Sequence, residues 1–86
     1  MPEISRFFGI IITMYYNDHG SPHFHARYGE HKAKIAIASG AALEGNLPRR
    51  VSALVEEWRL AREIELLEVW QLILERKSHA KIQPLE

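Results

Sequence analysis

The chain has no cysteine, which excludes disulfides, thiolate-held zinc and a cysteine nucleophile together. It also has no net charge: eleven Lys and Arg balance eleven Asp and Glu. The balance holds in parts, with four of each sign over residues 1–45 and seven of each over residues 46–86. Wholesale electrostatic capture of DNA usually needs a basic domain, so it is disfavoured here, although a local basic patch is not. No apolar run approaches the ~18 residues that a membrane span requires. Met1-Pro2-Glu3 lacks a basic n-region and Arg6 interrupts the apolar residues around it, so the expected setting is the cytoplasm. Length is short as well. Eighty-six residues exclude a doubly wound nucleotide-binding fold, a TIM barrel and a two-domain enzyme. The rest of the composition is ordinary for a folded chain: 47% apolar and 26% charged residues, which argues against disorder.

Two hydrophobic periods meet near Gly45. Before it, β-branched and aromatic runs alternate with turn residues; after it glycine is absent and proline is confined to Pro48 and Pro84. The first half reads as four strands: Ile4 to Phe8, Ile10 to Tyr16, His23 to Tyr28 and Lys32 to Ala38. Gly9 marks a tight turn or bulge, Asn17-Asp18-His19-Gly20-Ser21-Pro22 a loop and Gly29-Glu30 a reversal. Short connections favour an antiparallel meander. Residues 39–47 form a connection with room for one more short strand around Leu43. In the second half Asn46 or Leu47 precedes Pro48, a residue suited to the first helical position. Val51, Leu54, Val55 and Trp58 then make a helical stripe. A helix of roughly 30 residues is long for a small domain, so a bend or break is expected near Leu60–Glu63. The expected organisation is a single domain over 1–86. It comprises a β-meander over 1–45, a helical segment over 46–78 and an extended tail over 79–86.

The period of two in each strand assigns the faces. Phe24, Ala26 and Tyr28 share one side with Ala33, Ile35 and Ile37, and with Ile10, Ile12 and Met14. That side is where helices must pack. The other side collects His23, His25, Arg27, Lys32 and Lys34, with Thr13 and Tyr15 beside them.

Three readings of that face compete. As a phosphodiester-cleaving site, His23 and His25 divide general acid and base duties. Arg27 and Lys34 then stabilise charge on phosphate, and Tyr15 stacks on a base. These are the candidate catalytic residues of a metal-independent ribonuclease that needs no cofactor. As a metal site, His23 and His25 stand about 6–7 Å apart on one side of a strand. His19 completes that fallback set, with Asp18 and His31 as other nearby ligands; Arg27, Lys32 and Lys34 oppose a dication. The plain alternative is a solvated sheet face, where Lys, Arg and exposed imidazoles are ordinary.

Beyond Trp58 the helical stripe widens. Ile64, Leu66, Leu67, Val69, Trp70, Leu72, Ile73 and Leu74 leave little of the circumference polar, and a helix apolar all round is buried all round. More cover is expected from the other helical segment, from a second copy making a homodimer through Ile64–Leu74, or from another protein. Glu56, Glu57, Glu63, Glu65, Glu68 and Glu75 read as a solvated flank with Arg59, Arg62 and Arg76 as helix-pair partners.

Several segments together resemble a known family. Pro2-Glu3-Ile4-Ser5-Arg6-Phe7-Phe8-Gly9, Asn17-Asp18-His19 and Pro22-His23-Phe24-His25-Ala26 are similar to the bacterial domain-of-unknown-function family 4160. So are Leu47-Pro48-Arg49-Arg50, Glu57-Trp58, Glu65-Leu66-Leu67-Glu68 with Trp70, and Ile82-Gln83-Pro84-Leu85-Glu86. The Pro-His-Phe-His-Ala segment is the most specific part. Ser21 departs from the pattern, since members often carry a second proline ahead of Pro22. The resemblance implies a small cytoplasmic bacterial protein encoded beside a second small protein with a helix-turn-helix, an arrangement similar to toxin–antitoxin modules. It implies no activity and no catalytic residues.

The combined expectation is an α+β domain. A four-stranded antiparallel sheet has one face covered by a C-terminal helical segment, either one bent helix or two helices. Its expected role is the toxin-like component of a two-protein module, with the ribonuclease and the metal-binding module as alternatives. Its expected partners are a small DNA-binding-type protein or a second copy, and RNA; no membrane is expected.

Overall fold

The alternation of β-branched runs and two-residue reversals produces an antiparallel sheet, followed by two helices. A computed structural model describes residues 3–16 and 20–86. The strands are β1 (Glu3–Phe7), β2 (Ile10–Thr13), β3 (His23–Tyr28), β4 (His31–Ala36) and β5 (Ala42–Asn46). The helices are α1 (Arg49–Ala61) and α2 (Glu63–Leu74). The sheet runs β1-β2-β3-β4-β5, every neighbour antiparallel. The expected count of four strands is therefore corrected to five. The fifth forms because Ala42–Asn46 bonds along β4, with Leu43 at a register shift between the Lys34–Glu44 and Ile35–Ala42 pairs. Every residue of β5 is exposed, so hydrophobic alternation could not announce it.

Local chemistry sets the turns. Phe7 pairs with Ile10 across Phe8-Gly9, whose φ angles are 50° and 81°. Positive φ at both central residues is the type I′ geometry that matches strand twist, and glycine meets it without strain. β2 stops at Thr13, short of the expected Tyr16, and β4 at Ala36, short of Ala38. Between Glu3 and Ser5 the β1 register shifts. The extra residue turns both Ile4 and Ser5 inward, as a bulge does.

The covered face buries Ile4, Phe7, Ile10, Ile12, Met14, Phe24, Ala26, Ala33, Ile35 and Ile37 against Val51, Val55 and Trp58 of α1 and Leu66, Val69, Trp70 and Ile73 of α2. Trp58 is fully buried, its ring 5.3 Å from Phe7 and 5.7 Å from Phe24. Leu54 packs at the margin of this core. Tyr28, expected inside, is 39% exposed. It ends β3 beside the Gly29-Glu30 turn and lies against Gly9 rather than under a helix.

Pro48 stands one residue before α1 rather than in its first turn. The expected break falls at Arg62, with φ −122° and ψ 19°. Its N–H still bonds to the carbonyls of Trp58 and Arg59, and its carbonyl accepts from Leu66, so the chain bends without a loop. Helical structure ends at Leu74, short of the expected residue 78. Beyond it the tail carries Ile82 into the core. The Ile82 N–H donates to the Ile4 carbonyl (2.8 Å), Ser5 Oγ donates to the Ile82 carbonyl (3.0 Å) and Trp58 Nε1 donates to the Gln83 carbonyl (2.9 Å). Through these bonds the tail occupies the outer edge of β1. No helix among the described residues is long and apolar enough to cross a membrane.

Candidate functional site on the open sheet face

The face away from the core is a shallow depression of about 460 Å³. Strand register builds it as two rows. One row, by successive Cα partners, is Glu3, Thr13, His25, Lys34 and Glu44; the other is Arg6, Ile11, Arg27, Lys32 and Asn46. Tyr15 stands beyond Thr13 on the same rim. Four cations, Arg6, Arg27, Lys32 and Lys34, face two carboxylates, Glu3 and Glu44. The floor is thus net positive by two in a chain that is neutral overall.

The charges are not equally available. Arg6 Nη2 lies 2.7 Å from Glu3 Oε1, and Lys34 Nζ 3.5 Å from Glu44 Oε2. The Arg6 hydrogen bond leads in holding the Glu3 carboxyl below the usual glutamate range, and Lys81, 3.6 Å away, assists. Arg27 and Lys32 are both exposed and have no carboxylate within 4.0 Å among the described residues.

The candidate catalytic residues divide. His25 is half-buried on the open face, its ring 5.0 Å from Tyr15 in an edge arrangement, and Lys34 is its Cα partner on β4. Arg27 is on the same face. His23, expected to point to solvent, is instead 1% exposed. Its ring sits 5.4 Å from His25 and 5.1 Å from Trp70. Strand alternation keeps it beside His25, but it does not line the depression, and the indole of Trp70 on α2 packs against its ring. His23 Nδ1–H donates to the Ser21 carbonyl at 2.8 Å, which fixes the proton on that nitrogen. So His25, Arg27, Tyr15 and Lys34 come together, and His23 borders them, buried against the Trp70 indole. Of the fallback metal set, His23 and His25 are neighbours, while His19 and Asp18 lie outside the described residues. Among the described residues no three His, Cys, Asp or Glu side chains gather as a metal ion needs.

Sequence reasoning missed Arg6 and Glu3 as members of this face, because the β1 bulge hides their alternation. It also read Arg59 as part of a solvated flank, whereas Arg59 is 4% exposed. Its Nη1 donates to the Ile37 carbonyl at 2.7 Å, and Nε and Nη2 form a fork on Glu56 at 2.9 and 2.5 Å. That fork lowers the Glu56 pKa. A lone arginine at the i+3 position from a glutamate gives no sequence signal of burial.

Residues 9–71 match the family described as domain of unknown function (DUF4160). The chain belongs to that family. The match takes in β2, β3, β4, β5, α1 and most of α2, and with them His23, His25, Arg27, Lys32 and Lys34. No curated protein and no solved structure matches the chain.

Proposed function

We propose that this DUF4160 member is the toxin-like component of a two-protein, toxin–antitoxin-type module. In this reading it acts through the open sheet face and is held by a small partner protein through the exposed side of α2. The observation that supports this most is the pair Arg27 and Lys32, two neighbouring exposed cations on a flat face with no carboxylate beside them among the described residues. Like charges on paired strands repel, so a surface that keeps them together invites an anionic ligand. The exposed Ile64 (76%), Leu67 (40%) and Leu74 (44%) on α2 support the partner. The test is inducible expression in a bacterial host. Growth should arrest, recover on co-expression of the neighbouring gene product, and be insensitive to a protein carrying both Arg27→Ala and Lys32→Ala. Unimpeded growth with soluble wild-type protein would sink the reading.

A second reading is metal-independent ribonuclease action. It is favoured by the placement of His25 between Tyr15 and Lys34, beside Arg27. One imidazole, rather than a symmetric pair, then carries proton transfer, and Lys34 or Arg27 faces the phosphate. His25→Ala should abolish RNA cleavage while the protein still unfolds cooperatively, at a smaller cost in stability than His23→Ala. His23→Ala behaves differently, since truncating a buried ring against Trp70 opens a cavity and should cost ~2–4 kcal/mol by chemical denaturation. Cleavage that survives His25→Ala removes this reading. The histidine-dependent metal module draws no support from the described residues, and elemental analysis of the purified protein tests it directly.

A further inference from the structure

We infer that the open face takes a single-stranded nucleic acid laid across the strands, with phosphates along the Arg6–Arg27–Lys32 row and bases on the Tyr15–His25 side. This rests on the sheet face being the functional surface, and it names the ligand class of that surface. Three features of the two rows lead to it. First, the cations lie on one line. Arg6 is paired through Ile11 to Arg27, and Arg27 to Lys32. With strands ~4.8 Å apart the line spans about 14 Å over four strands, room for a few nucleotides. Second, the other row ends in carboxylates on both sides, Glu3 and Glu44. Glu3 is already held by Arg6 and Lys81, whereas Glu44, its side chain 75% exposed, repels phosphate and offers oxygens to base amino groups, which favours the backbone on the cation row. Third, Tyr15 is 40% exposed and meets the His25 ring edge-on on the base side. An exposed tyrosine offers a stacking face, which is of use only to a base not already stacked in a duplex. An acidic peptide would satisfy the cations but not the ring, and Glu44 would repel it.

The test is fluorescence anisotropy with a short labelled oligouridine, its DNA counterpart, the same strand in duplex form, an abasic strand of equal length and an oligoglutamate peptide. The unpaired strands should bind more tightly than duplex or oligoglutamate. Three phosphate contacts should give a slope of log K against log salt of about −2. Arg27→Ala and Lys32→Ala should each flatten that slope by about 0.7. Tyr15→Ala should weaken binding by roughly tenfold without altering the slope, Tyr15→Phe should restore it, and the Tyr15→Ala loss should vanish on the abasic strand. A preference for RNA would add a 2′-hydroxyl contact and equal binding of DNA would not; both keep the proposal. Duplex or oligoglutamate binding as tightly as the single strand would overturn it, as would a salt slope indifferent to Arg27 and Lys32. Failure of the growth experiment with intact oligonucleotide binding would remove the module reading alone. Growth arrest without oligonucleotide binding would remove this inference alone.

Discussion

At the scale of single residues, the informative groups are those whose chemistry and burial disagree. Arg59 is a cation in the core, tolerated because the Ile37 carbonyl and the Glu56 carboxylate take its donors. Gly40 makes room for that pair: a Cβ there would stand 2.5 Å from Glu56 Oε1 and 2.7 Å from Arg59 Nε, and its φ is +76°. The hydrogen bond from Arg59 is the leading reason the Glu56 carboxyl ionises more readily than an ordinary glutamate. A carboxyl whose folded pKa lies below its unfolded value stabilises the fold above the unfolded pKa and loses that contribution as pH falls through the folded one. Glu56 is 43% exposed, so solvent screening keeps the neutral-pH contribution below about 1 kcal/mol. Glu56→Gln should therefore lower the urea midpoint at neutral pH. Its difference from the wild type should shrink below the ordinary glutamate range. A difference independent of pH would show that the charge has no part in it. Arg59→Met should cost more at neutral pH, about 1–3 kcal/mol, because the Ile37 carbonyl loses its donor.

At the scale of elements, the two edges of the sheet are treated unequally. β1 is covered by the tail through Ile82, whose side chain is 4% exposed. β5 ends the sheet at the other side with all five residues exposed. A bare edge is a template for another strand, and β5 blunts it by brevity, a register shift and the charge of Glu44. The tail has the opposite task. Ile82→Ala should destabilise the protein by ~2–4 kcal/mol in denaturant titration. Deleting residues 80–86 should do at least as much, because Trp58 Nε1 and Ser5 Oγ also lose their acceptors. A truncated protein as stable as the full chain would mean that the tail is an ornament on the fold rather than its last strand-like element.

At the scale of the whole molecule, α2 is apolar on two sides. Leu66, Val69, Trp70 and Ile73 face the core, while Ile64, Leu67 and Leu74 face outward, with Leu60 of α1 also 62% exposed. Trp70 is covered within the chain, in the core and against the His23 ring, while Leu67 and Leu74 stay exposed. Substituting Ile64 and Leu67 by serine should alter folding stability by less than ~0.5 kcal/mol each, as surface changes do. Any self-association or partner binding seen by sedimentation should weaken. Unchanged association would move the contact elsewhere, with the β5 edge as the next surface to mutate.

The sequence alone was enough for the α+β class, the antiparallel meander, the apolar sheet face and the bend near residue 62. All of them arise from periods of two and 3.6, from Gly and Pro punctuation and from helix length, which are local properties. It also gathered His25, Arg27, Lys32 and Lys34, because strand alternation alone puts them on one side. Tertiary structure decided the rest. β5 exists because β4 offers it an edge to bond, not because its residues alternate. Arg6 and Glu3 join the face because a bulge resets β1 by one residue. Arg59 is buried because carbonyls at the end of β4 are there to receive it. His23 is buried rather than open to solvent, with Trp70, forty-seven residues further along the chain, packed against its ring. Each of these depends on a contact between residues distant in sequence, and a periodicity carries no record of such contacts.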